Sequence, residues 1–205
     1  AMNKGAFDFT TKPIDLGDLE RTIEKAAEQI AFVKKAQDEH SQLVSIQNDL
    51  HVAQEIQETI LPKELPCFDE SVRGHFDLKA CMKAAKYVGG DFYDFFRIDS
   101  TRLGFIIADV SGKGVPAAIF MAISRTILRT IALSSPSCAD CLRQTNGMLS
   151  QDSVEDMFVT VFYGILDLGT GHLKYSNAGH NPPVRIRHDG RTSLLEPTGD
   201  IALGA

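Results

Sequence analysis

The chain has 205 residues, 43% of them hydrophobic, and a formal charge of -6. This suits one sizeable core with an extended accessory segment and excludes a largely disordered chain. The acidic balance, with no basic stripe, argues against a nucleic-acid partner. Arg125 and Arg129 interrupt the longest apolar stretch, so no membrane span is expected, and with no cationic leader ahead of an apolar segment the expected location is the cytoplasm.

Residues 1–18 begin with Gly5 and the alternating Phe7 and Phe9, which predict a short strand. Lys12 and Pro13 predict a loop, and Asp15 to Asp18 the entry to a helix. One short strand does not fold alone, so the segment is a domain fragment or an arm packed on something else. It resembles the C-terminal end of a response-regulator receiver domain, where a lysine followed by proline closes the last strand. The resemblance implies that Lys12 holds the place of the lysine that contacts a phosphorylated aspartate, but that family's acidic pocket and phosphoacceptor are not in this chain.

Residues 19–61 contain neither proline nor glycine. Leu16, Leu19, Ile23, Ala26, Ile30 and Val33 alternate at steps of three and four, a helical seam that resumes at Leu43, Ile46, Leu50, Ala53 and Ile60. The step between Val33 and Leu43 means the seam either breaks there or carries a stammer. A helix this long spans roughly 60 Å, more than a small domain can cover. The segment therefore reads as a linker that pairs with a second copy of the chain, ended by Pro62 and Pro66.

Beyond Pro66, residues 76–83 alternate apolar and polar and predict a half-buried strand. Aromatic residues 91–97 and apolar residues 103–108 predict two more, joined by a polar turn at residues 99–102 and paired antiparallel. Asp91 opens the first and Asp109 closes the second, so pairing brings both to the same end of the sheet. Two acids beside an apolar core with no base nearby in sequence point to a divalent metal. The turn at residues 111–114 lacks the glycine and hydroxyl spacing of a nucleotide-binding loop. It leads into a helix over residues 117–133, apolar on nearly every face and so expected to be covered on both sides.

Cys138 and Cys141 form a C-x-x-C pair, but Cys67 and Cys81 do not complete a zinc site. Ser137 and Asp140 instead mark a helix start that buries both cysteines among Leu142, Met148 and Leu149. Residues 157–167 and 172–179 predict strands around a glycine turn, with short strands at 184–187 and 193–195. This order predicts an α+β fold: an antiparallel β-sandwich flanked by helices and preceded by the long linker helix.

The segments VGGDFYDF, ADVSGKGVPAA, MFVTVFYGILD, AGHNPP and AQEIQETILP stand in an order that resembles the SpoIIE-type branch of the metal-dependent serine/threonine phosphatases over most of residues 50–205. Together with the receiver resemblance and the helical seam, this divides the chain into three expected parts: residues 1–18 as the end of a receiver domain, 19–61 as a coiled-coil-like linker and 62–205 as the phosphatase domain. The resemblance implies receiver-controlled removal of phosphate from a phosphoserine on a STAS-type anti-sigma-factor antagonist.

Asp91 and Asp109 match the family's first two metal-binding aspartates, with the backbone carbonyl of Val110 a further ligand. Two Mg²⁺ or Mn²⁺ ions there would activate water for attack at phosphorus. Asp94 is a candidate additional ligand or a strand cap. Thr160, Asn177, His180 and Asn181 match positions near the site, and the two prolines after His180 favour a bracing role over proton transfer. The family's two later aspartates have no counterpart, since Asp189, Glu196 and Asp200 sit in other contexts. With half the carboxylates, the 205-residue chain is expected to bind metal weakly and show little activity, its domain lacking the last strands and a longer chain being active. Two other readings compete with the phosphatase: a non-catalytic adaptor of the same fold that binds a sigma-factor-circuit protein, and a dimerisation module driven by the linker.

Overall fold

The structure is a computed structural model describing residues 7–8, 12–70, 72, 76–151, 157–199 and 201–205. It divides into two compact units, Ala1–His51 and Val52–Ala205. In the first, the strand expected across Gly5, Phe7 and Phe9 lies largely outside the described residues. The Lys12–Pro13 peptide bond is cis. Helix α1 (Leu16–Ile60) opens where Asp15 Oδ1 accepts the backbone N–H groups of Gly17 at 2.8 Å and Asp18 at 3.1 Å. α1 runs unbroken through the polar residues 37–42, so the seam shifts inside one continuous helix. Leu16, Ile23, Ile30, Val33, Leu43 and Ile46 are exposed along it. The helix ends at Ile60, ahead of Pro62, as the proline requires.

The second unit is built on an antiparallel sheet of four strands in sequence order: β1 (Phe92–Arg97), β2 (Arg102–Val110), β3 (Val159–Asp167) and β4 (Leu173–Ala178). A separate hairpin joins β5 (Val184–Ile186) to β6 (Thr192–Leu194). Aromatic and branched residues make these strands, and Asp99 Oδ1 closes the β1–β2 turn by accepting from the amides of Thr101 and Arg102. Helices α2 (Val115–Ala132) and α3 (Cys138–Leu149) pack on the sheet. Between them lies the main core: Phe92, Phe96, Ile106 and Ala108, then Val159, Val161 and Tyr163, met by Met121, Leu128, Cys141 and Leu149. The α+β class, with an antiparallel sheet and flanking helices, is the one expected from the order of strands and helices.

Two glycines shape the sheet. Phe96 pairs with Gly104, where a Cβ would lie 2.6 Å from the Phe96 ring; Phe105 pairs with Gly164, whose Cβ would lie 2.6 Å from the Phe105 ring. Each ring therefore lies over bare backbone on the neighbouring strand.

Three expectations need correction. Residues 76–83 form no strand; Phe76 and Leu78 are half-buried against Val72, Phe95 and Leu103, so the alternation is real but no neighbouring strand bonds the backbone. α2 is not covered on its outer side among the described residues, since Val115, Ile119 and Ile123, spaced four apart, are exposed. By length and composition α2 would pass for a membrane-crossing helix; here its inner face packs into the core, with Ala117, Met121, Ser124 and Leu128 fully buried. Met148 is exposed too, whereas Leu142 and Leu149 enclose the cysteines as expected.

Ser137 caps α3 by accepting the Asp140 N–H. Burial pushes the Cys138 thiol up to about 11 and the Cys141 thiol up to about 12, while Cys67 and Cys81 are exposed. The thiolate is the reactive form. At pH 8, therefore, a thiol reagent is expected to label Cys67 and Cys81 quickly and the buried pair only on unfolding. The buried thiols hold their protons more tightly than unfolded cysteine, whose value is 9.0. Their contribution to stability is thus complete below pH 9 and is lost as pH rises towards 11 to 12. Four fast thiols in the folded chain would contradict this burial.

Candidate active site

The β1–β2 register pairs Phe92 with Ala108. Extending it by one residue sets Asp91 opposite Asp109, and the two carboxyl groups lie within hydrogen-bonding reach. Side chains alternate along a strand, so Asp91, Tyr93 and Phe95 share a face with Phe105, Ile107 and Asp109. All six line a cavity of about 480 Å³, joined by His180 and residues 78–83. This is the face away from α2 and α3. Burial, and then the neighbouring Asp109 carboxyl, raise the Asp91 carboxyl above the ordinary carboxylate range, with His180 opposing.

Asp94 falls on the other face, with Phe92 and Phe96. It is buried between two arginines of α2, with Arg129 Nη1 donating to Oδ1 at 2.6 Å and Arg125 Nε lying 3.0 Å from Oδ2. Burial pushes its carboxyl upward and the two guanidiniums pull it down. The suggestion that Asp94 is a further ligand is therefore corrected. Two residues separate it from Asp91, an odd step of three positions that turns its side chain to the opposite face of the strand. The missed signal was that parity, together with Arg125 and Arg129 one helical turn apart on α2.

β3 runs beside β2 at the edge of the site. Thr160 pairs with Asp109, its hydroxyl donates to the Asp109 carbonyl at 3.3 Å, and it lies 2.9 Å from His180 Nδ1. Asn177 braces the His180 loop twice, donating from Nδ2 to the His180 carbonyl at 2.9 Å and accepting the His180 N–H at 2.8 Å. Burial lowers the His180 pKa, while Asp91 opposes. Asn181 is exposed.

Val110 ends β2 beside Gly90. A Cβ at Gly90 would lie 3.1 Å from the Val110 carbonyl oxygen and 3.3 Å from Ala117 Cβ, so a side chain there would press on this rim. Asp189 pairs with Arg191 at 2.7 Å, and neither it nor Glu196 lines the cavity. Asp200 lies outside the described residues. Among the described residues no cluster of three or more His, Cys, Asp and Glu side chains is arranged to hold a metal. What fits a divalent cation is the Asp91–Asp109 pair: two adjacent carboxyl groups whose mutual repulsion a cation would relieve, with a backbone oxygen at the same strand end.

The pattern of stage II sporulation protein E, SpoIIE, matches residues 99–205, which include Asp109, Val110, Thr160, Asn177 and His180. The chain belongs to the SpoIIE family. Among curated SpoIIE-like relatives, the phosphoserine phosphatase RsbU of Bacillus subtilis is 30% identical over 151 residues, 72% of this chain and 43% of that protein. Protein IcfG of Synechocystis sp. is 30% identical over 178 residues, 74% of this chain and 27% of that one. The chain thus spans less than half the length of these relatives. The structure of the SiaA-PP2C domain of Pseudomonas aeruginosa superposes with a TM-score of 0.62 over 79% of this chain and 64% of that one, at 22% identity, a likeness of fold.

Proposed function

We propose that this SpoIIE-family chain carries the catalytic domain of a metal-dependent protein-serine phosphatase. The observation that carries this reading is the Asp91–Asp109 pair on the open face of the sheet, in a cavity shared with His180. PP2C-type phosphatases are generally metal dependent, and RsbU carries the name of a phosphoserine phosphatase. Asp91, Asp109 and the Val110 carbonyl are the groups that would hold Mg²⁺ or Mn²⁺. When bound, such ions supply positive charge towards phosphoryl oxygens and acidify water. The protein's own part is to keep the two carboxylates adjacent, to brace the His180 loop through Asn177, and to line the cavity with Tyr93, Phe105 and Ile107.

The substrate is a phosphoserine on a STAS-type anti-sigma-factor antagonist, met in the cytoplasm. Residues 1–18 are the end of a receiver domain that controls the enzyme, residues 19–61 its linker, and residues 62–205 the phosphatase domain. The direct test is Mn²⁺-dependent release of phosphate from a phosphoserine substrate, weak in the 205-residue chain, where only two of the family's carboxylates stand, and absent in Asp91→Asn and Asp109→Asn.

One observation favours a second reading. Among the described residues no third acid joins the pair, which suits a non-catalytic adaptor of the sigma-factor circuit. That reading expects partner binding indifferent to Mn²⁺ and to both substitutions.

The linker acts by pairing with a second copy along Leu43, Ile46, Leu50 and Ala53. Placing glutamate at both Leu43 and Ile46, two exposed seam residues, is expected to convert a dimer to a monomer in sedimentation equilibrium. An unchanged assembly would remove the linker from the interface.

A further inference from the structure

Gln57 stands out on α1. Its neighbours are exposed or partly so, yet it is 5% exposed. Its amide is spent on one residue of the second unit's loop: Nε2 donates to the Gly89 carbonyl at 2.6 Å, and Oε1 accepts the Gly89 N–H at 3.0 Å. A primary amide can meet a backbone N–H and C=O at once, as a neighbouring strand would. Residues 83–91 belong to no strand, so Gln57 stands in for one. Nearby Gln54 bonds instead to Glu58, one turn along the same helix.

The other side of this loop is just as constrained. Gly90 fits against Val110 and Ala117 so closely that a Cβ would lie 3.0 Å from Val110 Cβ. The dipeptide Gly89–Gly90 is thus gripped by Gln57 on one side and by the end of β2 and start of α2 on the other. The next residue is Asp91.

We propose that Gln57 is a positioning residue: it fixes the loop that presents Asp91 to Asp109, and so sets the preformed geometry of the carboxylate pair. The inference rests on the phosphatase reading of that pair. Outer partners that orient ligands typically change metal affinity by about 10- to 100-fold when removed. Buried backbone groups outside strands find such side-chain partners in place of a ladder.

The test compares Gln57→Met, which keeps length and removes the amide, with Gln57→Glu, which keeps an acceptor for the Gly89 N–H and loses the donor. Gln54→Leu is the control on the same helix. Hydrogen exchange of the Gly89, Gly90 and Asp91 amides is measured on the metal-free chain. The Mn²⁺ concentration for half-maximal phosphate release is measured separately.

Gln57→Met is expected to speed exchange at residues 89–91 at least about 10-fold and to raise the Mn²⁺ requirement about 10-fold. The rate at saturating Mn²⁺ should stay within a factor of about three, and the control should change nothing. Gln57→Glu should fall between, and it decides the matter if Gln57→Met does not fold. Unchanged exchange at residues 89–91, or exchange raised evenly over the whole sheet, overturns the proposal. Because the exchange readout needs neither metal nor turnover, a wild type without phosphatase activity would sink the catalytic reading while leaving this result to stand or fall by itself.

Discussion

Asp109→Asn is expected to lower Mn²⁺-dependent phosphate release by about 10²- to 10³-fold, the scale on which loss of one preorganised electrostatic group acts in other active sites. Asparagine keeps the size and hydrogen-bonding shape of aspartate and removes its charge. In the metal-free chain that charge is unfavourable, because Asp91 and Asp109 sit together: burial first, and then the Asp109 carboxyl, raise Asp91. The same substitution should therefore leave metal-free thermal stability equal to or above the wild type. It should also abolish the rise in melting temperature that Mn²⁺ confers on the wild type. Activity and stability moving in opposite directions mark a ligand rather than a structural residue. A variant that loses both would place Asp109 in the scaffold and sink the metal reading.

Asp94→Ala is expected to act on stability alone, and strongly. Its side chain is 0% exposed, while those of Arg125 and Arg129 are 17% and 34% exposed. Arg129 also lies over the Phe96 ring, 5.0 Å from its centroid. Removing one partner of a buried ion pair leaves uncompensated charge and costs about 3 to 5 kcal/mol. For a unit of this size that is a fall of about 6 to 20 °C in melting temperature. The exposed Asp99–Arg102 pair gives the contrast, since Arg102→Ala, which leaves the Asp99 turn bonds in place, should cost at most about 1 kcal/mol. Replacing all three buried groups together, Asp94→Leu with Arg125→Met and Arg129→Leu, should recover most of the loss, because no charge is then stranded. If urea denaturation put Asp94→Ala within about 1 kcal/mol of the wild type, the triad would not be the link between β1 and α2 described here.

Much of this arrangement was legible in the amino-acid sequence, because the signals were local. The polar turn around Asp99, the aromatic run before it and the apolar run after it predict a hairpin, and the hairpin carries Asp91 and Asp109 to one end. Ser137 and Asp140 mark the start of α3 in the same way. What stayed hidden depended on partners far along the chain. Residues 76–83 alternate like a strand, but alternation reports only which side chains are covered, and the ladder needs a neighbour that the pattern cannot supply. Asp94 resembled a ligand by proximity, until its place on the opposite face and its two arginines came into view. Gln57 looked like any solvated helix residue, since its contact at Gly89 is 32 positions away. The exposed stripe of α2 was hidden because composition does not say which apolar face finds cover.

The rings over glycine have a bearing on how the two acids meet. Carboxylates repel, so nothing at Asp91 and Asp109 would itself hold two strands in alignment. The key is cut at the far end of the hairpin, where Phe96 fits the notch at Gly104 and, one strand over, Phe105 fits the notch at Gly164. A slip of two positions keeps every side chain on its proper face, so hydrophobicity alone would tolerate it. It would, however, drive the Phe96 ring into Ile106 or Arg102 in place of an open notch. The aromatic keys thus act as an alignment gauge set some four to five residues, or about 13 to 16 Å, along the strands from the two carboxyl groups.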